Sequence, residues 1–179
     1  PKYLYSNTRS IFVHDAENLQ SKQLDSMHKD NGTIEINSTA CKSIKNLLKL
    51  LIHELYHSLE TDISSKYTDL YSATVNEYRA NKTKILDKIK SDPRLEKPSR
   101  YYYGIIHYDS GFDDYLVNRI TYPVLFNRIT DLFSTPYALT SISEYIAIGF
   151  EVFLFENKEW VHIYNPMLYK LIDSILKTI

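Results

Sequence analysis

The stretch Leu48-Lys49-Leu50-Leu51-Ile52-His53-Glu54-Leu55-Tyr56-His57-Ser58-Leu59 sets two histidines four residues apart inside an apolar, helix-forming run. On a helix, residues i and i+4 lie one turn apart on one face. The spacing therefore aims two imidazoles at one point, as a Zn²⁺ ion requires of a histidine pair. Glu54 between them is the residue type that serves there as general base. Ile44, Leu47, Leu48, Leu51, Ile52, Leu55 and Leu59 follow the i, i+3, i+4, i+7 spacing of an apolar helical stripe. At about 100° per residue, His53 and His57 fall roughly opposite that stripe, beside Asn46 and Leu50. The leucine core does not claim the histidines, so another part of the chain has to cover them.

Composition narrows the alternatives. The 179 residues are 44% hydrophobic and 24% charged, an ordinary globular balance sized for one compact domain, with room for two lobes. A net charge of −1 offers no electrostatic case for nucleic acid. The tyrosine-rich stretch 101–108 lacks the basic clustering of a single-strand groove. No run of about 18 apolar residues predicts a membrane span. One cysteine, Cys41, excludes an internal disulfide framework and leaves the compartment open. The chain starts at Pro1 rather than Met, as in a piece of a longer product whose signal or delivery segment has been removed. Oligomeric state is not legible.

The order of elements reads as α+β and mostly helical, with a small N-terminal sheet. Residues 10–15, with Ile11, Phe12 and Val13, predict a strand. Asn31-Gly32 predicts a turn into the alternating strand Thr33–Asn37. Ser38 or Thr39 is the expected cap of a helix reaching about Glu60. A second helix is expected from about Tyr67 to Lys90, and a break across Asp92–Ser99. Tyr101–Tyr108 reads as a strand. A third helix spans 113–133 with an interruption near Pro123, a fourth spans 141–155, and Pro166 opens the last.

Catalytic zinc takes three protein ligands, so a third must come from elsewhere. Glu77, 20 residues after His57, and Glu144 both qualify. Each also has an ordinary reading: Glu77 as a solvated helix residue, and Glu144 as half of a Ser141-x-x-Glu144 capping box. His14, His28, His107 and His162 have no partner at ligand spacing and read as surface or structural histidines. Asp113-Asp114 reads as an acidic pair at a helix start rather than a calcium site.

Three phrases together carry a resemblance: Tyr137 seven residues before Glu144; Glu144-Tyr145-x-Ala147-x-Gly149-Phe150-Glu151-x-Phe153-Leu154; and Asn165-Pro166-x-Leu168-Tyr169-x-Leu171-Ile172-Asp173. With the H-E-x-x-H they resemble the anthrax lethal factor-like metallopeptidases. That family includes the lethal factor catalytic domain and secreted clostridial Pro-Pro endopeptidases. The resemblance covers about residues 30–60 and 134–178. The chain departs from the family at Tyr56, where glycine is usual, and at Ile148, where a second glutamate normally orients a ligand histidine. It also carries extra material at about 82–114.

The resemblance implies a zincin-like metallopeptidase domain over 1–179, with an N-terminal lobe of about 1–62 holding sheet and zinc helix, and a helical lobe of about 63–179. It implies a zinc endopeptidase with His53, His57 and Glu144 as metal ligands, Glu54 as general base and Tyr137 as oxyanion donor. It further implies an extended peptide substrate along strand Thr33–Asn37 as a sheet edge. A toxin-like protein, secreted or delivered into a host cell, is the matching expectation, with a cytoplasmic location left open. Two alternatives stand beside it. One is a zinc peptidase of another lineage, thermolysin-like or repressor-cleaving, with Glu77 as ligand. The other is a zincin-like module that binds without catalysis.

Overall fold

The computed structural model describes residues 7–15 and 25–178. Its three strands are β1 (Ser10–His14), β2 (Ser26–His28) and β3 (Thr33–Asn37), in the order β1-β3-β2. β1 runs parallel to β3, pairing Ser10 with Thr33 and His14 with Asn37; β2 is antiparallel, pairing Ser26 with Ile36 and His28 with Ile34. The Asn-Gly signal closes the β2–β3 hairpin, with Gly32 N–H bonded to Lys29 O at 2.9 Å and Gly32 at φ 81°. No side chain fits there, because a Cβ would lie 2.6 Å from the backbone oxygen of Asn7. β3 is thus the central strand. The expectation that Thr33–Asn37 is the sheet edge along which substrate lies is corrected: a third strand, β2, which lacked any run long enough to read, lies outside it.

Helix α1 spans Ile44–Lys66. Its cap is Ser43, whose hydroxyl accepts from Asn46 N–H at 3.1 Å. Ser38 and Thr39 instead enter a separate 3₁₀ turn, Ser38–Ala40, capped by the Asn37 side chain. The helix passes Glu60 because no glycine or proline stands between it and Lys66. Its alternating-face partners Ile34 and Ile36 of β3 are fully buried against Leu55, with Leu47, Leu50, Leu51 and Ile52 packed around them. The apolar stripe is buried only in its second half: Leu55 and Leu59 are in the core, whereas Ile44 is 78% and Leu48 42% exposed.

Helix α2 spans Thr68–Ser91. Tyr101–Tyr108 is not a strand. Ser99 caps a short helix α3 (Arg100–Gly104), and the next two carbonyls serve other partners: Ile105 O accepts from Lys82 Nζ at 2.8 Å and Ile106 O from Ile142 N–H at 2.7 Å. The third predicted helix is split earlier than expected. α4 (Ser110–Asp114) continues as a π turn, Tyr115–Ile120. The chain then breaks at Thr121 (φ 76°), and α5 (Tyr122–Ile129) restarts with Pro123 in its first turn. After a 3₁₀ turn, Tyr137–Leu139, follow α6 (Ile142–Phe155), α7 (Lys158–Tyr164) and α8 (Pro166–Thr178). α7 lies between the fourth and last expected helices, in a stretch where no helix is expected.

The main core joins Leu59 and Ile63 of α1, Tyr78, Ile85 and Leu86 of α2, most of α6, and Leu168, Leu171 and Ile172 of α8. α6 lies along α1 on the side of the two histidines, and so covers the face the leucines leave open. Among the described residues, no helix is long and apolar enough to cross a membrane.

Candidate metal centre

His53 and His57 project from one face of α1, their ring centroids 4.8 Å apart. Glu144 reaches them from α6. Ser141 caps that helix by accepting from Glu144 N–H at 3.1 Å, half of the capping box read from the sequence. The Glu144 carboxylate turns away from the cap and toward the histidines: Oε2 lies 3.1 Å from His53 Nε2 and Oε1 3.5 Å from His57 Nε2. Two ligand atoms about 2.0–2.1 Å from a tetrahedral zinc lie about 3.3 Å apart, the same edge length. Oε2 is buried, His53 Nε2 is its near neighbour, and no well-formed hydrogen bond reaches it. Among the described residues, His53, His57 and Glu144 form the one group of histidine, cysteine and carboxylate atoms close enough to hold an ion, all within 4.8 Å.

The outer nitrogens are also engaged. His53 Nδ1 is 2.8 Å from Glu151 Oε1, and Lys49 Nζ lies 3.5 Å from the other oxygen of Glu151. His57 Nδ1 is 3.0 Å from Ser143 Oγ. The partner that Ile148 fails to supply thus comes from Glu151, one turn further along α6. Its spacing of seven from Glu144 puts both glutamates on one face, a signal that was present in the sequence.

Electrostatics follow this geometry. Burial opposes charge on His53, but the carboxylates of Glu144 and Glu151 outweigh it and push the ring up to about 10. Burial brings His57 down to about 4, against the pull of Glu144. For Glu144, burial resists ionisation, yet His53, then His57 and the Tyr137 hydroxyl, hold it below the usual carboxylate range. Tyr137 therefore stands beside Glu144; its phenol is pushed far up by burial and by that charge.

Glu54 is buried beneath β2. Ser26 donates to its Oε1 at 2.6 Å; burial raises its pKa, while Ser26, His53 and the His28 N–H work the other way. Neither β2 contact had a signal in the sequence near Glu54. A cleft of about 510 Å³ opens beside His57, walled by Arg9, His28, Asp30 and Asn31. His28, read as an incidental histidine, thus faces the site, and its buried Nε2 has no partner.

Glu77 is elsewhere. Its carboxylate accepts from Met167 N–H at 2.9 Å, Leu168 N–H at 3.1 Å and Tyr145 hydroxyl at 3.0 Å, capping the start of α8. Both oxygens are used, and Glu77 is not part of the His53–His57–Glu144 group.

No family model, curated protein or solved structure matches the chain.

Proposed function

We propose that this protein is a zinc-dependent endopeptidase of the lethal factor-like kind. The observation that carries the reading is the set of separations among His53 Nε2, His57 Nε2 and the Glu144 carboxylate, 3.1 and 3.5 Å, with a buried Glu144 oxygen lacking a hydrogen bond. Two imidazoles, His53 giving up the proton it carries without metal, and a carboxylate would make the donor set of open, catalytic zinc sites rather than closed structural ones. When bound, zinc polarises the scissile carbonyl and lowers the pKa of water toward about 7.

The chain's own residues supply the rest. Glu54 follows His53 directly on α1, and its carboxylate, anchored by Ser26, is the group to take a proton from the attacking water and return it to the leaving amine. Tyr137, protonated and beside Glu144, is the hydroxyl that donates to the developing oxyanion. An extended substrate pairs with β2, which among the described residues bonds to β3 on one side only and whose Ser26 and His28 already touch Glu54.

The test uses purified wild type and Glu54→Ala protein, assayed for bound metal and for cleavage of a mixed peptide library. About one zinc per chain in both, with cleavage by wild type alone, is expected. Zinc in both and cleavage by neither would replace the enzyme with a metal-binding module. Tyr137→Phe is expected to lower kcat about 10²–10³-fold with zinc content unchanged.

A further inference from the structure

His53 and His57 are held by different outer partners, and the difference matters for how each ring presents its nitrogen. His53 Nδ1 faces the Glu151 carboxylate, which only accepts, so that nitrogen carries the hydrogen. His57 Nδ1 faces the Ser143 hydroxyl at 3.0 Å, a group able to donate or accept. That pair alone leaves the His57 ring free to take either tautomer.

The ambiguity is removed one residue further out. Ser143 Oγ lies 2.6 Å from Glu60 Oε2. A carboxylate only accepts, so the single hydroxyl hydrogen of Ser143 goes to Glu60. Ser143 is left with lone pairs toward His57, and His57 Nδ1 must bring the hydrogen to that contact. Nε2 is then bare, and it is Nε2 that faces Glu144 at 3.5 Å.

Glu60 is itself placed for this. It lies one turn beyond His57 on α1, and its other oxygen accepts from the Tyr71 hydroxyl at 3.4 Å. Tyr56, the residue that stands where the resembling family has glycine, is 3% exposed, packs its ring 5.7 Å from His57 and places its hydroxyl near the same carboxylate. Ser143 lies directly before Glu144 on α6, so one contact both orients His57 and ties α1 to the helix that carries the third candidate ligand.

We propose that Glu60 and Ser143 are positioning residues that fix the tautomer of His57 and so aim its bare Nε2 at the metal. The metal half of this inference rests on the zinc reading above; the tautomer half does not. A partner one step from the ligand that orients it is worth about 10–100-fold in metal affinity.

The experiment has two readouts on the full chain. Long-range ¹H–¹⁵N spectra of histidine-labelled, metal-free protein report the tautomer of His57, and chelator competition reports zinc affinity. Wild type is expected as the Nδ1–H form. Ser143→Ala is expected to admit the Nε2–H form and to weaken zinc about 10–100-fold. Glu60→Gln keeps the shape of the contact but lets the side chain donate to Ser143, so it too should mix the tautomers. Ser143→Thr, which keeps the hydroxyl, should restore both readouts. An Nε2–H ring in wild type would overturn the inference. So would Ser143→Ala and Glu60→Gln proteins with wild-type tautomer and zinc affinity. If no variant and no wild type binds zinc, the zinc reading fails, while the metal-free spectra still decide the relay.

Discussion

Glu151 accepts the Nδ1 hydrogen of His53 at 2.8 Å from a position two helical turns beyond Glu144. One face of α6 thereby holds both sides of the same imidazole: Glu144 beside the inner nitrogen, Glu151 at the outer one. Glu151→Gln turns an acceptor-only group into one that can also donate, and weakens the basicity it lends the ring. Zinc affinity is expected to fall about 10–100-fold, read by chelator competition. Unchanged affinity would mean that the contact only packs the helices.

Glu77 offers the opposite expectation. Its three hydrogen bonds satisfy the start of α8 and the Tyr145 hydroxyl. Glu77→Ala is expected to cost about 1.5–3 kcal/mol of stability in urea unfolding, the usual loss for hydrogen bonds to a charged group. Zinc stoichiometry should stay at the wild-type value, whereas Glu144→Ala should lose the metal.

Gly149 is required by a close approach of helices. A Cβ there would meet Leu168 at 2.6 Å from Cδ2 and 3.1 Å from Cγ, and Leu168 is 2% exposed. Gly149→Ala gains about 0.5–1 kcal/mol of helix propensity but overpacks the contact at a cost of about 1–3 kcal/mol. A net loss of up to about 2.5 kcal/mol is expected from these two terms. Combining it with Leu168→Ala should destabilise less than the sum of the single changes, since the clash disappears with its partner.

Lys82 tests the buried electrostatics away from the site. It is 1% exposed, donates to Ile105 O at 2.8 Å and lies 3.9 Å from the Phe112 ring centroid. Burial brings its pKa down to about 7, with Asp109 pulling the other way. Between pH 7 and about 10 the unfolded chain therefore binds a proton that the folded one does not. Stability should rise with pH across that window, by at most about 1.4 kcal/mol per unit. Below pH 7 both states hold the proton and this dependence vanishes. Lys82→Met should flatten the curve of urea midpoint against pH; an unchanged curve would assign the slope to other groups.

Where sequence reading succeeded, the information was local. The i, i+4 spacing of His53 and His57, the β-branched alternation of Ile34 and Ile36, the Asn31-Gly32 turn, Ser141 as a cap and Pro166 as a helix start are each written within one or two turns of chain. Periodicity also placed the histidines off the leucine stripe, the face that α6 covers. It failed where neighbours distant in sequence claim the backbone. Residues 101–108 have strand-like composition, but Lys82 and Ile142 take the carbonyls a strand would have used. β2 is three residues long and has no pattern to detect; it exists because β3 supplies its hydrogen bonds.

The same division runs through the site. Sequence alone determined that two imidazoles share one helical face with Glu54 in the same turn, and that two glutamates compete to join them. Only the tertiary structure brought one of those glutamates to the histidines, because that depends on which helix lies against α1: α6 brings Glu144 to 3.1 Å, while packing of α2 on α8 places Glu77 at a helix end. Glu151, Ser143, Glu60 and Ser26 are likewise assigned by contacts that join residues 28 to 98 positions apart, or follow from them. A side chain's own sequence neighbourhood fixes the face it occupies. What it binds is fixed by what packs against that face.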